Sequence, residues 1–151
     1  MLDDKDRALL RRMQGDPSLT VPELAQLAGV TAGQAARRLD RLAADGLIRG
    51  QTAVVDWAAM GYPLQVSLRI TLDKTVPGAF DDFLIAARDV AEVLEIQTFL
   101  GRVDVRLALV ARDLAQYQDL YRTRILSLPH IADIEALMDV AAVKSEMGLP
   151  L

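Results

Sequence analysis

Two hydrophobic rhythms divide the chain. Up to Gly46 the apolar positions recur every three or four residues, as on one face of a helix; from Leu64 they alternate with polar ones, as in a strand buried on one side. The first rhythm predicts three helices. The first starts at Asp3, with acids in its opening turn that complement the positive end of the helix dipole, and carries Leu9, Leu10 and Met13 until "GDPS" breaks it. In the second, Thr20 and Glu23 have the spacing of a capping box and Pro22 sits in the first turn, where its missing N–H costs nothing. Leu24, Leu27 and Ala28 supply its inward face and Gly29 ends it. The third follows at once: Thr31 and Gln34 repeat the capping pattern, Ala35, Leu39 and Leu42 form the apolar stripe, and Gly46 closes it. "GLIRGQTAVVD" then reads as a two-stranded wing with Leu47 and Ile48 packed inward.

The second rhythm opens after "GYP". Leu64, Val66, Leu68, Ile70 and Leu72 alternate with Gln65, Ser67, Arg69 and Thr71, which predicts a half-buried strand. A helix with Phe80, Phe83, Leu84 and Ala87 on one face follows, then strands in "EVLEIQTFL" and "VDVRLALV" joined by a turn at Gly101. A helix from about Leu114 to Leu126 turns Leu114, Tyr117, Tyr121 and Leu128 inward, and a last strand runs from about Ile131 to Val143. The order β-α-β-β-α-β is the ferredoxin-like pattern. The chain is therefore predicted to be α+β, with a winged helix-turn-helix at 1–55, a linker at 56–63 and a ferredoxin-like domain at 64–151. The sheet face without helices carries Gln65, Ser67, Arg69, Glu95, Gln97, Phe99, Ala108 and Val110, a mixture suited to packing on a second copy.

Charge sharpens the first half. The net charge is −4, yet residues 1–60 sum to zero, so the whole excess of acid lies beyond them. That disfavours nucleic-acid binding by the whole surface but leaves room for a local basic face. Such a face exists. With the apolar stripe of the third helix turned inward, Gly33, Gln34, Arg37, Arg38 and Arg41 point outward, and Arg49 follows in the wing. Two short helices with a tight turn, the second basic, read as a helix-turn-helix whose second helix enters a major groove. Thr31, Gly33, Gln34, Arg37, Arg38, Arg41 and Arg49 are the expected DNA-binding residues: Arg37 and Arg38 for base or phosphate, Arg41 and Arg49 for phosphate. Gln34 is either a cap or a base reader. The competing reading is an ordinary solvated face.

There are no cysteines, no apolar run of membrane-spanning length and no secretory leader in "MLDDKDRALLRRM", so a cytoplasmic protein that leaves the membrane alone is expected. No phosphate loop, catalytic triad or metal-ligating cluster is visible, so no catalytic residue, metal or cofactor is expected. The single histidine, His130 in "LPHI", reads as a loop residue at a helix end, and Asp81 and Asp82 read as solvated acids in the middle of a helix.

With these halves placed, the chain resembles the Lrp/AsnC (leucine-responsive) regulator family. The stretches "LDDKDRALLRRMQGDPSLTVPELAQLAGVT", "RRLDRLAADGLIRGQTAVVD" and "VKSEMGLPL" carry the resemblance. It implies transcriptional regulation through double-stranded DNA, homodimers or octamers, and an effector half that senses amino acids. In the family's effector loop, Gly-Asp-Tyr/Phe-Asp, this chain has Gly101, Arg102, Val103 and Asp104. Gly101, Arg102 and Asp104 are thus the expected effector-binding residues, Asp104 either receiving an ammonium or capping the turn. Arg102 inverts a charge, and so predicts an effector more anionic than a neutral amino acid, an amino acid or carboxylate of that kind; the alternative is a surface charge with no effector. Lys5 replaces a usual apolar residue, which predicts a looser start to the first helix; Ala36 replaces a bulkier apolar residue, and Ile134 and Ala136 stand where threonines are usual. The resemblance extends to sirohaem-type tetrapyrrole decarboxylases, which leaves an enzyme as one alternative and a ligand-sensing oligomerisation module without DNA binding as another.

Overall fold

The computed structural model describes residues 2–144 and 148–151; of the closing stretch "VKSEMGLPL", Ser145–Met147 lie outside the described residues. The chain divides into two compact units, Met1–Val54 with Lys144–Leu151, and Val55–Val143. The closing residues thus group with the helices, whereas the sequence pattern assigns them to the strand-rich half. Gln14 exchanges hydrogen bonds with the Leu149 backbone and Arg11 donates to the Leu151 carbonyl.

The first unit holds α1 (Asp4–Gly15), α2 (Val21–Ala28) and α3 (Ala32–Ala44). Each start is fixed locally. Asp3 accepts from the Asp6 amide at 2.8 Å while Asp6 accepts from the Asp3 amide at 3.2 Å. Thr31 and Gln34 make the same exchange at 3.2 and 3.1 Å. Glu23 accepts from both the amide and the hydroxyl of Thr20, which holds its carboxyl below the usual range. Leu9, Leu24, Ala25, Ala28 and Ala35 form the buried centre. Ala25, not Leu27, completes the inward face of α2: Leu24, Ala25 and Ala28, at i, i+1 and i+4, are buried, and Leu27 is exposed.

Lys5 does not loosen α1. Its ammonium donates to the Ala28 and Gly29 carbonyls at 3.1 and 3.4 Å, capping the C-terminus of α2 from across the bundle. Gly29 takes the left-handed conformation there, φ 65°, that ends the helix.

The two-stranded wing is not formed. Residues 47–56 contain no strand; Leu47 is exposed, Ile48 half-buried and Val54 90% exposed. The Leu47 and Ile48 amides both return to the Leu42 carbonyl, and a lone hairpin without a hydrophobic face has little to hold it.

The second unit holds β1 (Leu64–Leu72), α4 (Ala79–Arg88), β2 (Val93–Thr98), β3 (Val105–Ala111), α5 (Leu114–Leu120) and β4 (Ile131–Met138). The sheet order is β2-β3-β1-β4 with every pairing antiparallel, so the ferredoxin-like βαββαβ order of the α+β fold is realised. Val66, Leu68, Ile70 and Leu72 of β1 and Val105, Leu107, Leu109 and Ala111 of β3 pack against Phe83 and Ala87 of α4 and Tyr117 and Leu120 of α5. Val66 pairs with Leu109 and Met138, Leu68 with Leu107 and Ala136, Ile70 with Val105 and Ile134, so neighbouring strands present the same face. Phe80 and Leu114, expected inside, are exposed. The expected long helix is regular only to Leu120 and continues as a π-helical turn, Tyr121–Ile125, which buries Ile125. β4 stops at Met138, and Val140 and Val143 lie fully in solvent.

Asp81 and Asp82 occupy the first turn of α4, not its middle. His130 sits in the turn before β4 at φ 62°, its carbonyl accepting from the Asp73 amide and its Nε2 lying 3.1 Å from Asp82 Oδ2. No helix among the described residues is long and apolar enough to cross a membrane.

Candidate functional site

The outward face of α3 follows from its packing. Ala35 and Leu42 are fully buried, which turns Gln34, Arg37, Arg38 and Arg41 to one side, where together they line a shallow recess. Thr31 and Gly33 are exposed at the start of the same helix, and no atom lies within 4 Å of where a Gly33 Cβ would sit. Gln34 uses its side-chain carbonyl as a cap, while its amide nitrogen keeps no partner among the described residues.

The four arginines are not equivalent. Arg37 and Arg49 make no hydrogen bond or ion pair among the described residues, and both are exposed. Arg38 donates to Asp3 Oδ2 at 2.7 Å and to Asp6 Oδ1 at 2.8 Å; Arg41 donates to Asp6 Oδ2 at 2.5 Å. The Asp6 side chain is 1% exposed, against 28% for Arg38 and 50% for Arg41. Burial pushes the Asp6 carboxyl up, but hydrogen bonds from Arg38, the Asp3 amide and Arg41 outweigh it and hold it below the usual carboxylate value. Asp3 is lowered as well, first by the Asp6 amide and then by Arg38, and Arg38 is raised by its bonds to Asp3 and Asp6.

Asp3 and Asp6 are absent from the residues expected at this face. Their spacing as a capping pair is visible in the sequence; their reach to α3, 32 to 35 positions away, requires the packing of α1 on α3.

The loop between β2 and β3 is fastened to the end of β1. The Asp104 amide donates to the Ile70 carbonyl at 2.9 Å, its Oδ2 accepts from the Leu72 amide at 2.9 Å, and its Oδ1 lies 3.2 Å from Lys74 Nζ. Of its two expected roles, the Asp104 carboxylate is engaged in the structural one. Thr71 donates to the Arg102 carbonyl at 3.0 Å. Gly101 adopts φ 156° with open space around it, so backbone conformation rather than close approach calls for glycine. Arg102 lines a recess with Arg69, Thr71, Val103, Asp133 and Glu135, of which only Arg102 among the charged residues was expected at an effector site. Arg69 and Glu135 pair there at 3.6 Å. On the same open face Arg106 binds Ser67, Glu95 and Gln97 at 2.7, 3.1 and 2.8 Å.

Comparison with known proteins finds a family match for each half of the chain. Residues 2–49 match the model of a winged helix-turn-helix DNA-binding domain, and residues 65–149 match the Lrp/AsnC ligand binding domain. The glutamate uptake regulatory protein of Zymomonas mobilis is 29% identical over 150 residues, 99% of this chain and 91% of that protein. The leucine-responsive regulatory protein of Escherichia coli is 29% identical over 148 residues, 98% of this chain and 90% of that protein. Among solved structures, a transcriptional regulator of Neisseria meningitidis in complex with L-methionine superposes with a TM-score of 0.92 at 25% identity, covering 99% of this chain and 97% of that one. A winged-helix match ahead of an effector-domain match that spans more than half the chain, on a fold that superposes end to end, leads to one conclusion: the chain belongs to the Lrp/AsnC family of transcriptional regulators.

Proposed function

We propose that this protein is a cytoplasmic, sequence-specific DNA-binding regulator whose second unit binds a small amino-acid-like or carboxylate effector. The observation that carries the reading is the α3 face: in a chain of net charge −4, three arginines and a glutamine gather on the exposed side of the second helix of a helix-turn-helix. Arg37 and Arg49, exposed and without partners among the described residues, supply phosphate contacts. Arg38 and Arg41 present donors from a fixed position, and Gln34 offers its free amide nitrogen to a base edge. Residues 1–55 then serve DNA, 56–63 link, and 64–151 serve the effector and oligomer contacts, with the open sheet face as the surface for a second copy. A two-fold dimer places two α3 helices about 34 Å apart, or a multiple of that. The relatives are regulators, which supports a binding protein over an enzyme.

The test is binding of duplex DNA against salt concentration. A duplex binder loses affinity linearly on log–log axes, with a slope near −0.9 for each phosphate contacted. Affinity that ignores salt, in wild type and Arg37→Ala alike, contradicts the reading.

For the effector, relatives named for glutamate uptake and for leucine, and a neighbour holding L-methionine, support an amino-acid-like ligand. Arg102 in the recess, with Asp104 already engaged and Arg69 paired to Glu135, favours one with an extra carboxylate, such as a dicarboxylate or a keto acid. Calorimetry with leucine, aspartate and a keto acid on wild type and Arg102→Asp tests this. Tight leucine binding that survives the exchange rejects it.

A further inference from the structure

The acids at the start of α1 do more than cap it. The reciprocal box takes Asp3 Oδ1 and Asp6 Oδ2; the other two oxygens, Asp3 Oδ2 and Asp6 Oδ1, both meet Arg38, and Asp6 Oδ2 also meets Arg41. All four carboxylate oxygens are therefore used, and the contacts beyond the cap converge on α3. Burying a carboxylate is costly, and a well-packed apolar residue commonly stabilises as much as a buried ion pair does. Fold stability alone therefore gives little reason for a fully buried acid at this position. Its distinctive effect is on the two arginines, which share their recess with Gln34 and Arg37.

We propose that Asp6, assisted by Asp3, is a positioning residue for duplex recognition: it holds the Arg38 and Arg41 guanidiniums as a fixed array of donors and cancels their charge toward non-specific phosphate. Sequence-independent attraction scales with uncompensated positive charge, through the counterions released from DNA. Reading a base edge depends instead on donors held in a set direction. With two carboxylates beneath two guanidiniums, α3 keeps the second property and gives up part of the first, leaving Arg37 on the helix and Arg49 beyond it as cations that are unpaired among the described residues. This inference rests on the DNA-binding reading above.

The experiment uses the full chain, a duplex enriched from a random library by the wild type, and a scrambled duplex of equal length. Asp6→Asn is expected to bind the scrambled duplex more tightly at low salt, to steepen the log–log salt slope by about 0.9, and to lower the preference for the enriched duplex at least about fivefold. Asp3→Asn, which keeps a competent N-cap, moves slope and preference the same way by less. A role confined to stability predicts something else: both affinities fall together while slope and preference stay fixed, and that result overturns the proposal. If Asp6→Asn fails to fold, Asp3→Asn decides, and unchanged slope and preference in that variant overturn it. A wild type that enriches no sequence rejects the DNA reading itself, and the proposal with it, by a result that no variant of Asp6 produces.

Discussion

In the sheet unit a cluster of fifteen buried residues, from Val66 to Leu128, is dominated by large aliphatic and aromatic side chains drawn from the two central strands, both helices and the turns that follow them. The corresponding cluster in the helical unit has five, and three of them are alanine. What the helices lack in apolar volume they replace with polar fasteners: the Lys5 clasp on α2, three helix starts fixed by capping side chains, and the Asp6–Arg38–Arg41 bridge from α1 to α3. The contrast teaches where function and stability are separable. In the sheet unit the charged residues of the recess around Arg102, Arg69, Asp133 and Glu135, lie outside the buried cluster, so they can change without removing its apolar contacts. In the helical unit the arginines that face outward are also part of the structure.

The largest expected effect tests the core side of this contrast. Phe83→Ala, at a fully buried position between α4 and the sheet, is expected to cost the sheet unit about 3–5 kcal/mol by denaturant unfolding. A loss below 1 kcal/mol would mean that the sheet unit, too, depends chiefly on something other than its apolar cluster.

Next comes a pair of variants within α3. Arg38→Ala removes one of two partners from a buried carboxylate and is expected to lower the melting temperature of the helical unit by several degrees, whereas Arg37→Ala leaves it unchanged. Both are expected to weaken DNA binding, Arg37→Ala by about tenfold. Equal melting temperatures would show that the arginines are interchangeable, contrary to their different partners.

Acid should separate the units as well. The folded Asp6 and Asp3 carboxyls titrate below the ordinary value of 3.8, so their contribution is fully present above that value and is lost as pH falls through the lower, folded values. The helical unit is expected to weaken as pH falls below about 4, and Asp6→Asn to lose most of that pH dependence, as read from hydrogen exchange of the α1 and α3 amides. The sheet unit has a dependence of the same sign through Asp73, whose carboxyl is lowered by the Thr75 hydroxyl and amide. The smallest effect is Lys5→Met, which removes one capping donor from the end of α2 and is expected to cost about 0.5–1.5 kcal/mol. No change would make the clasp a surface contact without energetic weight.

Much of this contrast is written in the order of residues. Periodicity alone places all five helices and all four strands, because a half-buried element must repeat its apolar residues with its own geometric period. Thr31 and Gln34 announce the start of α3, and burial of Ala35 and Leu42 then sets which side chains face out. The exceptions have physical reasons. The apparent wing in "GLIRGQTAVVD" has β-like residues but no partner surface, so pattern without pairing gives no strand. Phe80 fits a helical stripe, but the buried side of α4 is taken by Ala79, Phe83 and Ala87 at four-residue spacing, which leaves Phe80 exposed; Leu114 is exposed at the first position of α5.

The sequence by itself determined the two rhythms, the helix starts, the β-α-β-β-α-β succession of elements and the basic face of α3, since each depends on neighbours within a few positions along the chain. Tertiary structure alone decided how that face is used. Whether an arginine is free or bound depends on which acid the fold brings to it, and Asp3 and Asp6 reach Arg38 only across 35 and 32 residues of intervening chain. Asp104 likewise offers two chemically reasonable roles until β1 and β3 pair, when the Leu72 amide and Lys74 meet its two oxygens. Charge is a property of composition, but its compensation is a property of distance, and distance is set by folding.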